Sequence, residues 1–258
     1  MTEKEKQMYE ILAKFSSLEA PVIFKGALIA KLILQENGFE GLSRVTQDMD
    51  ANWEGEPPAI PELIDTVNNA LGDLKDKYIA KMVRPYSENK TAGFYFYDGV
   101  GNRLFEMDIN MNQVTTGFKN YLYGDSIIKG VHVDDILSDK ISVLSSDKIF
   151  RRAKDVVDVY AFSRCVQVNT KSLVDSAKQK GSDFGTFHAF IHRKDELQHA
   201  YNKLKRVENK PDFSKINSQL EAFLQPFINK DPTPKVWNAD LSIWRATRAG
   251  ENPPTSQR

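Results

Sequence analysis

Residues 22–53 read VIFKGALIAKLILQENGFEGLSRVTQDMDANW. The apolar run Val22–Phe24, the glycine at 26 and the apolar stretch Ala27–Leu34 predict a strand, a tight turn and a helix. A polar loop follows, and then a second strand on which Val45, Met49, Ala51 and Trp53 alternate with polar residues. That strand carries Asp48 and Asp50. Side chains two apart on a strand leave the same face, so both carboxylates look the same way, roughly 7 Å apart at the backbone. Such a pair suits two Mg²⁺ ions about 3.5–4 Å apart, the arrangement used for in-line displacement at phosphorus. Gly26 stands where a strand meets a helix, a place where glycine lets backbone N–H groups and a helix N-terminus approach a phosphate. An Asp-x-Asp triplet by itself is commonly no more than two solvated or capping carboxylates.

Downstream, Pro57, Pro58 and Pro61 bound a loop and open a helix over about 62–77. Tyr78–Arg84 and Phe94–Tyr97 read as strands. Asp98–Asn102 is a turn, and Arg103–Met111 returns antiparallel. On that return strand Asp108 shares a face with Leu104, Glu106 and Asn110, as a third carboxylate or as a plain exposed aspartate. Val131–Leu144 reads as a helix with Lys140 among apolar positions, either snorkelling to solvent or carrying its charge to a ligand. A helix over about 148–166 holds Arg152, Lys154, Asp155 and Asp158. On spacing alone, Arg151–Asp155 and Lys154–Asp158 are ordinary helix ion pairs worth about 0.3–0.5 kcal/mol each. Beyond Lys171 the pattern is all-helical, with helices expected over 172–180, 187–206 and 212–229. His188 and His192 lie four apart, but no third ligand accompanies them, so they read as a solvated face. Trp237 and Trp244, on a tail helix or extension, are apolar anchors expected to pack back on this part.

Taken together, Lys25-Gly26-Ala27-Leu28, Asp48-Met49-Asp50, Lys140 and Arg152-Ala153-Lys154-Asp155-Val156-Val157-Asp158 resemble the motifs of the AbiEii family, the toxin half of abortive-infection toxin–antitoxin pairs. That family has the nucleotidyltransferase fold of the DNA polymerase β type, and the likeness covers about residues 20–165. The resemblance implies an α/β (α+β) fold: a mixed, twisted sheet with helices as the nucleotidyltransferase core over 1–145, then a helical domain over 146–258. It implies transfer of a nucleoside monophosphate from an NTP to an acceptor, with tRNA as the acceptor in relatives and an antitoxin as partner. By the same resemblance Asp48, Asp50 and Asp108 hold Mg²⁺. Asp48, Asp50, Lys140 and Asp155 are catalytic. Lys25, Gly26, Ala27, Arg44, Arg152 and Lys154 bind the nucleotide, and Lys140, preferred over Lys148 by its spacing, meets the triphosphate. One departure stands out. Members of the wider DNA polymerase β-like superfamily usually have Gly-Ser or Gly-Gly in the turn where this chain has Gly26-Ala27, so phosphate contacts there are expected from backbone alone.

The whole composition adds bounds. The 258 residues carry 35 basic and 35 acidic side chains, which argues against a non-specific polycation. Cys165 is the sole cysteine, so no internal disulfide forms and a cytoplasmic setting is expected. The stretch Ala20–Leu34 is broken by Lys25 and Lys31 and is no membrane span. Residues 251–258 have the composition of a flexible tail. Two other functions share the scaffold: a nucleotide-binding module acting by protein contact, favoured by the Gly-Ala turn, and a kinase-like phosphotransferase.

Overall fold

A computed structural model describes residues 1–39, 41–87 and 91–247. The tail expected to be flexible, 251–258, lies outside the described residues. Contacts divide the chain into two compact units. The first comprises Met1–Leu32 and Val45–His132, and the second Ile33–Arg44 and the chain from Val133 onward.

The first unit is built on a seven-stranded mixed sheet. Its helices are α1 (Glu3–Ser17), the start of α2 (Gly26–Glu36) and α3 (Ile60–Asn69). The sheet strands are β1 (Val22–Lys25), β3 (Asp48–Trp53), β4 (Tyr78–Arg84), β5 (Thr91–Asp98), β6 (Arg103–Asn110), β7 (Phe118–Tyr123) and β8 (Ser126–Val131); the two-residue strand β2 (Ser43–Arg44) belongs to the second unit. They lie in the order β4-β5-β6-β3-β1-β8-β7, with β3/β6 and β1/β8 parallel and the other pairs antiparallel. Met49, Ala51, Phe94, Phe96, Phe105, Met107 and Ile109 are buried on the inner face. Alternation along each strand leaves polar residues on the other.

Local chemistry explains where the elements stop. Thr2 and Glu5 close a reciprocal cap on α1. Pro61 sits in the first turn of α3. The helix expected through Lys77 ends at Asn69, because Gly72 takes a left-handed φ of +56° and a 3₁₀ turn over Gly72–Asp76 follows. The β7–β8 hairpin was not anticipated. Its signal is the turn at Gly124 (φ +56°) and Asp125 between YLY and SII.

The second unit holds α4 (Val133–Leu144), α5 (Ala153–Ser163), α6 (Thr170–Gln179), α7 (His188–His192), α8 (Lys194–Asn202) and α9 (Phe213–Ile228). Its strands are β2, which pairs with β9 (Val207–Glu208), and the hairpin β10 (Lys235–Asn238) with β11 (Ile243–Ala246). The helix expected over 148–166 is a 3₁₀ turn at Asp147–Phe150 followed by α5. The helix expected over 187–206 is two helices separated at Arg193, and Phe187 caps the first with φ +56°. Trp237 and Trp244 do pack on this unit, against Phe223, Phe227 and each other, as an in-register cross-strand pair of a hairpin and not along a helix. No helix among the described residues is long and apolar enough to cross a membrane.

Candidate active site

In the first unit the carboxylates of the reading fall on one sheet face. β3 and β6 run parallel with Asp48 opposite Glu106 and Asp50 opposite Asp108. In-register neighbours share a face, so four acidic side chains leave the same side of two adjacent strands. Asp48 is exposed, while Asp50 and Asp108 are half-buried. Burial raises the pKa of Asp108 above the ordinary carboxylate value; the Arg84 guanidinium opposes this, and the charges of Glu106 and Asp48 add to the rise. Arg84 is ion-paired with Asp108 and lies 4.0 Å from Glu106.

The glycine turn meets this cluster directly. Lys25 pairs with Asp50 across β1 and β3. Gly26 has φ +73°, and a Cβ there would run into the Asp50 carboxylate. The first turn of α2 therefore opens beside Asp50, where its N–H groups and the positive end of the helix dipole favour negative charge. Ala27 is half-buried in that first turn. Lys25 Nζ donates to Gln113.

Two residues that sequence reasoning did not assign hold Asp48. The Thr46 hydroxyl donates to Asp48 Oδ1 at 2.7 Å. The Thr46 N–H in turn donates to Glu5 Oε1 at 3.2 Å. Burial would raise Glu5, but Lys31 and the N–H groups of Thr2 and Thr46 hold its pKa below the ordinary value. The signal that could have drawn attention to Glu5 is the T-x-x-E pattern of Thr2 and Glu5, and it speaks for a helix cap alone. Its burial under Thr46 is a tertiary fact.

Among the described residues no group of three or more histidine, cysteine or acidic side chains is arranged to hold a metal ion. The donors nonetheless fit a hard divalent cation in kind and in backbone register. They are oxygen ligands crowded on one face, with Asp108 under pressure from its acidic neighbours.

The remaining candidates form a cluster inside the second unit. Lys140 is 7% exposed and its Nζ donates to Asp155 Oδ1 at 2.9 Å and Asp158 Oδ2 at 2.6 Å. Arg44 closes on Asp158 with Nε at 3.3 Å and Nη2 at 3.2 Å. Arg152 Nη2 lies 2.8 Å from Asp155 Oδ2, close enough for an ion pair but without hydrogen-bond alignment. Asp155 and Asp158 thus face Lys140, Arg152 and Arg44 rather than the helix neighbours Arg151 and Lys154. Burial would push Asp158 up, yet Lys140 and Arg44 outweigh it and hold the carboxyl at about 2. Burial likewise works against the Lys140 charge, and the two aspartates outweigh it, so its pKa is raised. Lys154 is half-buried on α5. Cys165 donates to the Ala161 carbonyl, and burial pushes its thiol up to about 12, which leaves it unreactive.

The family model for the nucleotidyl transferase AbiEii toxin of type IV toxin–antitoxin systems matches residues 10–242. The chain belongs to the AbiEii family. The match runs well past the motif region, through the helices and into the Trp237 hairpin. Two solved structures from Helicobacter pylori share the fold. One is JHP933, at 14% identity with a TM-score of 0.54, covering 89% of this chain and 94% of that one. The other, described provisionally as a nucleotidyltransferase, is 15% identical with a TM-score of 0.54 and covers 89% and 97%. No protein of curated function matches the chain.

Proposed function

We propose that this AbiEii-family chain transfers a nucleoside monophosphate from an NTP to an acceptor hydroxyl. The acceptor oxygen attacks the α-phosphorus and its hydroxyl proton passes to water, the bond to the bridging oxygen of the β-phosphate breaks, and pyrophosphate leaves with that electron pair. The observation that carries the reading is the register that sets Asp50 beside Asp108, with Asp48 two residues away on the same face. Asp48, Asp50 and Asp108 would hold Mg²⁺. When bound, the metal supplies positive charge for the phosphoryl oxygens and lowers the pKa of the attacking hydroxyl. Thr46 orients Asp48. The Gly26 turn and the first N–H groups of α2 receive phosphate oxygens through backbone alone.

The family motif assigns Lys140, Asp155, Arg152, Lys154 and Arg44 to the nucleotide as well. Within the second unit Lys140, Arg44 and Arg152 stand against two carboxylates, Asp155 and Asp158, so only the one positive charge left over is open to a phosphate. Lys140 has both aspartates as partners, so its role is to hold Asp155 and Asp158 in place. The half-exposed Arg152 is the better placed of the two to meet a phosphate. In the cell the protein would act as the growth-arresting member of a toxin–antitoxin pair, with an RNA such as tRNA as acceptor, in the cytoplasm.

Purified protein incubated with α- or γ-labelled NTPs, Mg²⁺ and bulk RNA tests this. Label from the α-phosphate on RNA, lost in Asp48→Ala, is the expected result. Label from the γ-phosphate would make the protein a phosphotransferase. Nucleotide binding without transfer would make it a binding module, the reading that the Gly26-Ala27 turn favours.

A further inference from the structure

The outer face of the sheet continues past the carboxylates, and its next residues are of another kind. Asp50, Asp108 and Gly93 form one cross-strand row on β3, β6 and β5. The next row is Asp48, Glu106, Tyr95 and Lys81, and beyond it Tyr97 stands opposite Arg103 and Ile79. The first two rows are two residues apart, roughly 7 Å by strand rise; the next is two residues on along β5 but three along β6, where the register shifts between Phe96 and Tyr97. Tyr95 and Tyr97 are half-buried. Each carries a cation over its ring: the Arg103 guanidinium lies 3.4 Å from the Tyr95 centroid, and Lys81 Nζ lies 5.0 Å from that of Tyr97. At Gly93 no side chain rises between Tyr95 and the carboxylate row. The Arg84 side chain crosses that gap, with Nη2 3.1 Å from where a Cβ would be.

We infer that this face of β4, β5 and β6 is the docking surface for the end of a single-stranded nucleic acid, with successive bases stacked on Tyr95 and Tyr97. Flat aromatic rings take any base by stacking; here each ring has one face under its cation, so the base stacks on the other, and the cations neutralise the backbone that joins the bases. Lys81, together with Arg84 and Arg103, which also pair with Asp108 and Glu106, supplies that charge on the side of the carboxylates away from β1. A base on Tyr97 and the next on Tyr95 bring the terminal ribose one row on, to Asp108 and Asp50. The stepped rows therefore present a strand end, and not the middle of a duplex, to the acidic cluster. This inference rests on the nucleotidyltransferase reading for what happens at that end, but not for the binding itself.

The test is fluorescence anisotropy of a labelled short single-stranded RNA oligonucleotide, titrated with the full chain in EDTA and without NTP. Tyr95→Ala and Tyr97→Ala should each weaken binding roughly tenfold, while Tyr95→Phe and Tyr97→Phe bind as wild type. Arg103→Ala and Lys81→Ala should each lower the slope of log affinity against log salt by about 0.7. Asp48→Asn should bind at least as tightly as wild type, since it removes a negative charge from the face. Wild type that does not bind the oligonucleotide, or alanine variants that bind it equally well, overturns the inference. So does transfer to a protein acceptor that the tyrosine substitutions leave unchanged. The two readings fail separately. Tyrosine-dependent binding with no NMP transfer keeps the docking face and sinks the transferase. Transfer to RNA that ignores both tyrosines does the reverse.

Discussion

The two units each gather two or more aspartates with cations, and they do opposite things with them. On β3 and β6 four acidic side chains share one sheet face, half-buried or exposed, and crowding and burial keep Asp108 above its ordinary pKa. In the second unit Asp155 and Asp158 are enclosed, each is shared between two cations, and Asp158 is held at about 2. A crowded cluster that solvent can reach has charge to offer a ligand. A closed, paired one has already used its charge on itself, and its removal shows first as lost stability.

The strongest way to break this contrast is Asp48→Ala or Asp50→Ala. Transfer should fall on the order of a thousandfold, while stability changes by only about 1 kcal/mol; parallel activity and denaturation curves check both. Lys140→Ala should behave the other way. It leaves Asp155 enclosed with Arg152 alone, which should cost about 3–5 kcal/mol and lower the melting temperature by roughly 10 °C. If Lys140→Ala kept its melting temperature and lost only transfer, the second cluster would be catalytic and not structural.

Gly26→Ala sits between these cases. The left-handed backbone costs an alanine about 1–2 kcal/mol, and its Cβ would displace Asp50, so transfer should fall far more than stability does. The pH response sharpens the contrast further. Asp158 has a folded pKa of about 2 against 3.8 for an unperturbed aspartate. Its contribution is complete above that unfolded value and is lost as the pH falls from about 4 towards 2. The stability gap between wild type and Asp158→Asn, followed by acid denaturation, should narrow over that window. At the small end, His188→Ala and His192→Ala should each change stability by less than about 0.5 kcal/mol and leave transfer intact, because both imidazoles are exposed.

The sequence carried the parts of this picture that depend on local period. Alternation from Val45 to Trp53 and from Arg103 to Asn110 placed Asp48, Asp50 and Asp108 on strand faces. The glycine between Phe24 and Leu28 marked the turn. What it could not show was which strands lie side by side. Asp50 meets Asp108 across 58 positions of sequence because β3 and β6 are parallel neighbours, and no periodicity encodes that pairing. For the same reason Asp158 was matched to Lys154 one turn away and not to Lys140 and Arg44, which only the tertiary fold delivers. The helix over 187–206 misled for another reason. Its apolar spacing is continuous, and the break depends on the backbone at Phe187 and Arg193, both residue types that normally sit well in helices.

The excursion at Ile33–Arg44 has a consequence for synthesis. This segment belongs with the second unit, yet it leaves the ribosome early: Arg44 precedes its partner Asp158 by 114 residues, and β2 waits longer still for β9 at Val207–Glu208. The nascent chain can assemble much of the seven-stranded sheet with that stretch still looped out. A fragment starting at Val133 would lack both the guanidinium on Asp158 and the strand beside β9, so neither unit can be excised with a single cut.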